Sequence, residues 1–196
     1  CPECLQEYQN PLSRRFHAQP NACAACGPQL RFCNESGVAI SVDDPLLAAI
    51  ERLKQGQIVA IKGLGGYHLA VDATNNAAVK RLRQRKHRDE KPFAVMAFSV
   101  DRVKNFARIG ELEERMLSGP ERPIVLLEKL SDTSISSLVA PQNRFFGVML
   151  PYTPLHYLLL EKFPALVMTS GNQSDEPIAF EDADAAIRLD GIADTY

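Results

Sequence analysis

Apolar positions are distributed along this chain in two textures. Residues 1 to about 34 are rich in Cys, Pro, Arg and Asn and show little hydrophobic periodicity. From residue 43 the pattern changes. Asp43, Asp44 and Pro45 predict a helix start, with Leu46, Leu47, Ile50 and Leu53 at helical spacing and Gly56 as the stop. Residues 58–61 read as a strand, followed by a glycine-rich turn over 63–66 and a second apolar stretch ending at Asp72. Thr74 or Asn75 can cap a helix running to about residue 87, with Ala78, Val79 and Leu82 on one face. Pro92 closes that segment, and residues 93–98 predict a buried strand. Val103, Phe106, Leu112, Met116 and Leu117 mark one or two helices before the break at Gly119 and Pro120. Buried strands are predicted at 124–127, 147–150 and 166–168, with helices at 154–160 and 183–189. Short apolar runs alternating with amphipathic helices predict an α/β domain, a mixed sheet layered with helices. No repeat, low-complexity tract or coiled coil interrupts the pattern.

Composition adds exclusions. A net charge of −2 argues against a chain that is wholly a nucleic-acid or membrane-surface binder. No apolar run approaches the roughly 20 residues needed to span a bilayer, and no signal peptide is expected. An opening cysteine reads as a fragment or trimmed product. Five cysteines, four of them in C-x-x-C pairs, suit a metal in a reducing compartment better than a disulfide framework. A cytoplasmic protein is expected.

Cys1, Cys4, Cys23 and Cys26 form C-x2-C-x18-C-x2-C. Two such knuckles can each clamp one edge of a zinc tetrahedron, and four thiolates leave no open position for catalysis. Gly27 suits a positive-φ turn closing the second knuckle. A segment with so few core formers needs the metal, which supplies on the order of 10–16 kcal/mol. His17 reads as a loop contact and Cys33 as a small buried hydrophobe.

Residues 80–91 hold seven cations: Lys80, Arg81, Arg83, Arg85, Lys86, Arg88 and Lys91. With Asp89 and Glu90 the window is +5, and the rest of the chain is −7. Such a segment is either a solvated helix face or a site for polyanions, nucleotide phosphates or RNA. Its last part, K-x-R-x-x-K-P, falls where helix gives way to strand, so the cations there can converge on one ligand. Arg81 is expected on the solvated face. Thr169-Ser170-Gly171-Asn172 follows an apolar strand and is either an ordinary turn or a hydrogen-bonding loop for a ligand. Lys62 and the glycines after it lack the P-loop and dinucleotide signatures.

Together the segments C-P-E-C-L-Q-E-Y, R-R-F-H-A-Q-P-N-A-C-A-A-C-G-P, A-I-K-G-L-G-G-Y-H-L-A-V-D-A, R-K-H-R-D-E-K-P-F-A-V-M, G-V-M-L-P-Y-T-P-L-H and V-M-T-S-G-N-Q-S-D-E-P-I resemble one family. It is the HypF carbamoyltransferases of nickel–iron hydrogenase maturation, and the match covers essentially the whole chain. The resemblance implies a second zinc finger over 1–34 and a YrdC-like nucleotide-binding domain over 43–196, cut short at its C-terminal end. It implies structural Zn²⁺, and ATP with Mg²⁺ as substrate for carbamoyl-adenylate formation. The carbamoyl group would come from carbamoyl phosphate or carbamate and pass to a HypE-like acceptor protein on the way to cyanide ligands. Lys86 and Arg88 are then the expected catalytic cations. Lys91, Ser170 and Asn172 are expected to bind the nucleotide, with Lys62 and Tyr67 as wall residues. Gly147-Val148-Met149-Leu150-Pro151 and Thr169-Ser170-Gly171-Asn172 depart from the threonylcarbamoyl-adenylate synthases of tRNA modification, the nearest rival reading. A double-stranded RNA-binding module remains the rival of a different class.

Overall fold

The computed structural model describes residues 1–173 and 176–196, and the chain divides into two compact units, Cys1–Leu30 and Arg31–Tyr196. In the first unit, helix α1 spans Pro2–Gln9. Periodicity gave no sign of it, because its register is set by its ends: proline in the first turn and Glu3 beside the unpaired N–H groups. Loops make up the rest. Cys4 is the only buried residue among the first thirty.

The second unit is built on a six-stranded sheet. Its strands are β1 (Val59–Lys62), β2 (Tyr67–Asp72), β3 (Ala94–Met96), β4 (Val125–Glu128), β5 (Phe145–Met149) and β6 (Leu166–Ser170). They lie in the order β1-β2-β6-β3-β5-β4, and only the β3–β5 pair is parallel. The helices are α2 (Pro45–Lys54), α3 (Asn76–Arg85), α4 (Val100–Val103), α5 (Glu111–Ser118), α6 (Pro154–Leu160) and α7 (Asp182–Arg188). Strand alternation sends Leu69, Val71 and Val167 to one face, where they pack with Ala78, Val79 and Leu82 of α3, Leu117 of α5 and Ala185 of α7. Ala70, Leu166 and Met168 face the other way, against Ile50 and Leu53 of α2 and Leu159 and Leu160 of α6. The layered α/β expectation is correct.

Local chemistry explains the boundaries. Asp44 caps α2 by accepting the N–H groups of Leu46 and Leu47 at 2.8 and 3.1 Å, and Gly56 leaves the helix at φ +78°. Asn75 caps α3. The predicted buried strand at 124–127 is an edge strand instead. Leu127 is buried in the cluster that holds Leu117 of α5, but Ile124 and Leu126 are 56% and 69% exposed, because β4 ends the sheet and alternation turns them to the opposite side. Leu112 and Met116 of α5 are likewise exposed rather than core.

Candidate functional sites

In the first unit the four cysteine sulfurs lie within 4.8 Å of one another. Cys1–Cys23, Cys4–Cys26 and Cys23–Cys26 are 3.6, 3.5 and 3.8 Å apart. These are too long for a disulfide, about 2.05 Å. They match the edge of a zinc–thiolate tetrahedron, about 3.8 Å for bonds near 2.3 Å. The donor set fits structural zinc. Asn21 ties the two knuckles by donating its side-chain amide to the Cys4 carbonyl at 2.7 Å.

Gly27 does not take the positive φ expected of it. Its N–H bonds the Cys23 carbonyl at 2.7 Å, and a Cβ there would fall 2.8 Å from that same oxygen, so close approach is what excludes a side chain. His17 stacks on Tyr8 and Phe16, a loop contact as expected. Cys33 is half-buried rather than core; its backbone exchanges hydrogen bonds with Tyr196.

In the second unit, a cavity of about 430 Å³ is lined by Lys86, His87, Arg88, Asp89, Lys91, Ser170, Asn172 and Glu176. Five residues proposed from sequence therefore converge: Lys86, Arg88 and Lys91 from the end of α3 and its loop, Ser170 and Asn172 from the end of β6. Lys86 is 2% exposed, and its ammonium donates to the carbonyls of Ser170 (2.7 Å) and Asn172 (2.5 Å) and to Asn172 Oδ1 (2.8 Å). Ser170 Oγ donates to the same Oδ1 at 2.7 Å. Burial, with repulsion from Arg88 and Lys91, lowers the Lys86 pKa to about 8. Arg88 lies over the Phe93 ring, its guanidinium 5.1 Å from the centroid, and bonds the carbonyls of Lys91 and Pro92. Lys91 is exposed at the rim.

Asp182 gathers the other two residues. Tyr67 Oη donates to its Oδ1 at 2.9 Å, Lys62 pairs with the same oxygen, and Arg31 meets Oδ2 at 3.0 Å. Those contacts, led by the Lys62 bond, hold the carboxyl below its ordinary range. Neither Lys62 nor Tyr67 lines the 430 Å³ cavity. Tyr67 reaches the polar loop through its backbone, where its carbonyl accepts the Gly171 N–H at 2.6 Å.

The cationic run is not a solvated face. Arg81 bonds the Gly56 carbonyl and is half-buried, against the expectation that it points to solvent. Arg83 is 6% exposed and donates to the carbonyls of Leu138, Val139, Arg88, Asp89 and Lys91. Arg85 pairs with Asp194 at 2.6 Å. The helix thus spends most of its charge pinning backbone, and the loop it pins carries the pocket's cations.

His87, Asp89 and Glu176 also line the cavity and were not singled out from sequence. A second omission was His68. Its Nε2 lies 2.7 Å from Tyr152 Oη, and its ring meets His156 edge-on. Ser174 and Asp175 of the last motif lie outside the described residues.

A family model described as "Telomere recombination", of Sua5, YciO and YrdC proteins, matches residues 51–196, and one described as "HypF finger" matches residues 1–33. The carbamoyltransferase HypF of Rhodobacter capsulatus is 48% identical over 200 residues, covering all of this chain and 26% of that protein. A solved full-length HypF in a phosphate- and nucleotide-bound form is 47% identical with a TM-score of 0.89, covering all of this chain and 25% of its own. Sua5 of P. abyssi, complexed with L-threonine, shares 21% identity at a TM-score of 0.67, over 76% of this chain and 45% of that one; this is a likeness of fold. The chain thus spans about a quarter of the length of the HypF proteins it matches.

Proposed function

Since the chain belongs to the HypF carbamoyltransferase family, with a HypF finger ahead of a Sua5/YciO/YrdC-type domain, we propose that it forms carbamoyl-adenylate from ATP and a carbamate. The product would serve carbamoyl transfer in hydrogenase maturation, with a HypE-like protein as acceptor. The observation that carries this reading is the convergence of Lys86, Arg88, Lys91, Ser170 and Asn172 on one cavity. A relative 47% identical over the whole chain was solved with phosphate and nucleotide bound.

The chemistry asks for charge neutralisation more than covalent help. A carbamate oxygen attacks the α-phosphorus, the bond to the bridging oxygen breaks, and pyrophosphate leaves with that electron pair. No proton need move. Arg88 and Lys91 would meet the phosphate oxygens with charge-assisted hydrogen bonds. Lys86 would act from beneath, holding the Ser170–Asn172 turn and adding a positive field; a direct contact requires Asn172 Oδ1 to give way. Asp89, a hard oxygen donor lining the cavity, would be the residue to help hold Mg²⁺, which would supply further positive charge to the phosphates. In the finger, the four thiolates would hold Zn²⁺ as a structural ion.

The test is exchange of labelled pyrophosphate into ATP, driven by ammonium carbamate. Arg88→Ala, which loses a charge-assisted contact, and Lys86→Ala, which loses the hold on the turn and its positive field, should each lower exchange by about a hundredfold. Undiminished exchange in both variants refutes the pocket assignment. RNA binding with a salt slope of roughly −0.7 to −0.9 per phosphate contacted, and no affinity for ATP, would favour the RNA-binding reading. The backbone-bound state of Arg81, Arg83, Arg85, Lys86 and Arg88 disfavours that outcome.

A further inference from the structure

Outside the residues used so far, the most unusual chemistry lies on the α2/α6 side of the sheet. His156, on α6, is 1% exposed, and neither of its ring nitrogens has a hydrogen-bond partner among the described residues. The buried Nδ1 of His68 is likewise without a partner. Tyr152 joins them, bonded to His68 Nε2 and packed 4.5 Å, centroid to centroid, against the His156 ring. Burial holds both imidazoles neutral: it lowers the pKa of His156 to about 4, with His68 adding to the effect, and lowers that of His68 as well. A neutral imidazole offers one donor and one acceptor. The unmet capacity of the cluster is therefore mixed, and buried groups left in that state mark a place where a ligand or ordered water belongs.

None of the three lines the cavity itself, but His68 neighbours it through the sheet. His68 on β2 pairs directly with Ser170 on β6, and directly opposed residues share a sheet face with Cβ atoms about 4.5–5.5 Å apart. On its other side the His68 ring is pressed by the glycine turn, where a Cβ on Gly63 would fall 3.1 Å from it.

We propose that His68, Tyr152 and His156 form the subsite that receives the acyl end of the substrate, a small planar group carrying both a carbonyl-type acceptor and an N–H donor. The proposal rests on the adenylation reading and extends it: Lys86, Arg88 and Lys91 take the phosphates, and the imidazole cluster takes the carbamoyl group. Its members are positioning residues. They select and orient the acyl group while the cations act on the phosphate.

The experiment compares the unsubstituted chain with His156→Leu and His156→Asn in carbamate-driven pyrophosphate exchange, titrating ammonium carbamate and ATP separately. Loss of the donor–acceptor pair in His156→Leu should raise the KM for carbamate about tenfold and leave the KM for ATP unchanged. His156→Asn, which keeps one donor and one acceptor, should recover most of the loss. The melting temperature of His156→Leu should hold or rise, because an apolar side chain there removes two unpaired buried polar atoms. A carbamate KM unchanged by His156→Leu, or one that rises together with that for ATP, overturns the subsite while leaving the adenylation reading intact. A lower melting temperature with no change in carbamate KM assigns the cluster to structure alone and overturns it too. No exchange in the unsubstituted chain removes both readings.

Discussion

The two units of this chain are held by different physics. In residues 1–30 a single side chain, Cys4, is buried, so burial cannot supply the free energy of folding; four thiolates at tetrahedral spacing can. In residues 31–196 two apolar layers flank a sheet, and polar groups serve as pins rather than foundations. The contrast shows where each unit is vulnerable. The first would depend on an ion that can be removed, the second on contacts spread over many residues.

The largest effect should come from breaking the first half of that comparison. Chelation, or Cys23→Ser, should remove the metal and with it the order of residues 1–30, since binding on the order of 10 kcal/mol is folding free energy there. Metal analysis should fall from one zinc per chain to none, proteolysis should cut within the first thirty residues, and the melting of the second unit should stay put. A preparation never exposed to chelator that contains no zinc would contradict the account.

The second half is tested by Arg83→Ala. The guanidinium joins carbonyls of the 3₁₀ helix Ser137–Val139 to that of Arg88 in the loop after α3. Its removal leaves several of them unpaired in a buried place, at about 1–3 kcal/mol for an unsatisfied group. The urea midpoint of the second unit should fall by roughly 3 kcal/mol equivalent, with zinc content untouched. A loss below about 0.5 kcal/mol, the usual range of a surface substitution, would show that the loops hold themselves.

The smallest effect concerns pH and separates Lys86 from its exposed neighbours. Its pKa is lowered to about 8 by burial, so it is charged at pH 7 and loses its proton as pH rises through 8. Polyphosphate favours the protonated form, so ATP affinity should be fullest below pH 8 and fall by about tenfold above it, the scale of one charged hydrogen bond. Binding by Lys86→Met should be weaker but flat across that range. A wild-type profile that is flat to pH 9 would count against any contribution of this cation's charge to phosphate binding.

How much of this was legible in the sequence follows the same division. The cysteine spacing pointed to the four-thiolate cluster because the spacing of such donors is written locally in the chain. The short, polar α1 stayed hidden, since no apolar stripe sets it. In the second unit, caps and periodicity located most elements, but the Ile124–Leu127 stretch looked as buried as any central strand; only sheet order shows that it lies at the edge. The basic run named three cations that do line the cavity, Lys86, Arg88 and Lys91, yet misread Arg81 and missed the role of Arg83. A guanidinium pinning distant carbonyls looks no different in sequence from one in solvent. The His68–Tyr152–His156 cluster draws on β2, the segment after β5, and α6, so no single window contains it.

Gly171, one residue past β6, lies close against Tyr67 at the start of β2. A methyl group there would fall 2.7 Å from the Tyr67 carbonyl and 2.8 Å from its Cβ. The polar loop is thus a gauge of interstrand clearance: alanine can stand at this position only in a protein whose second strand lies farther away.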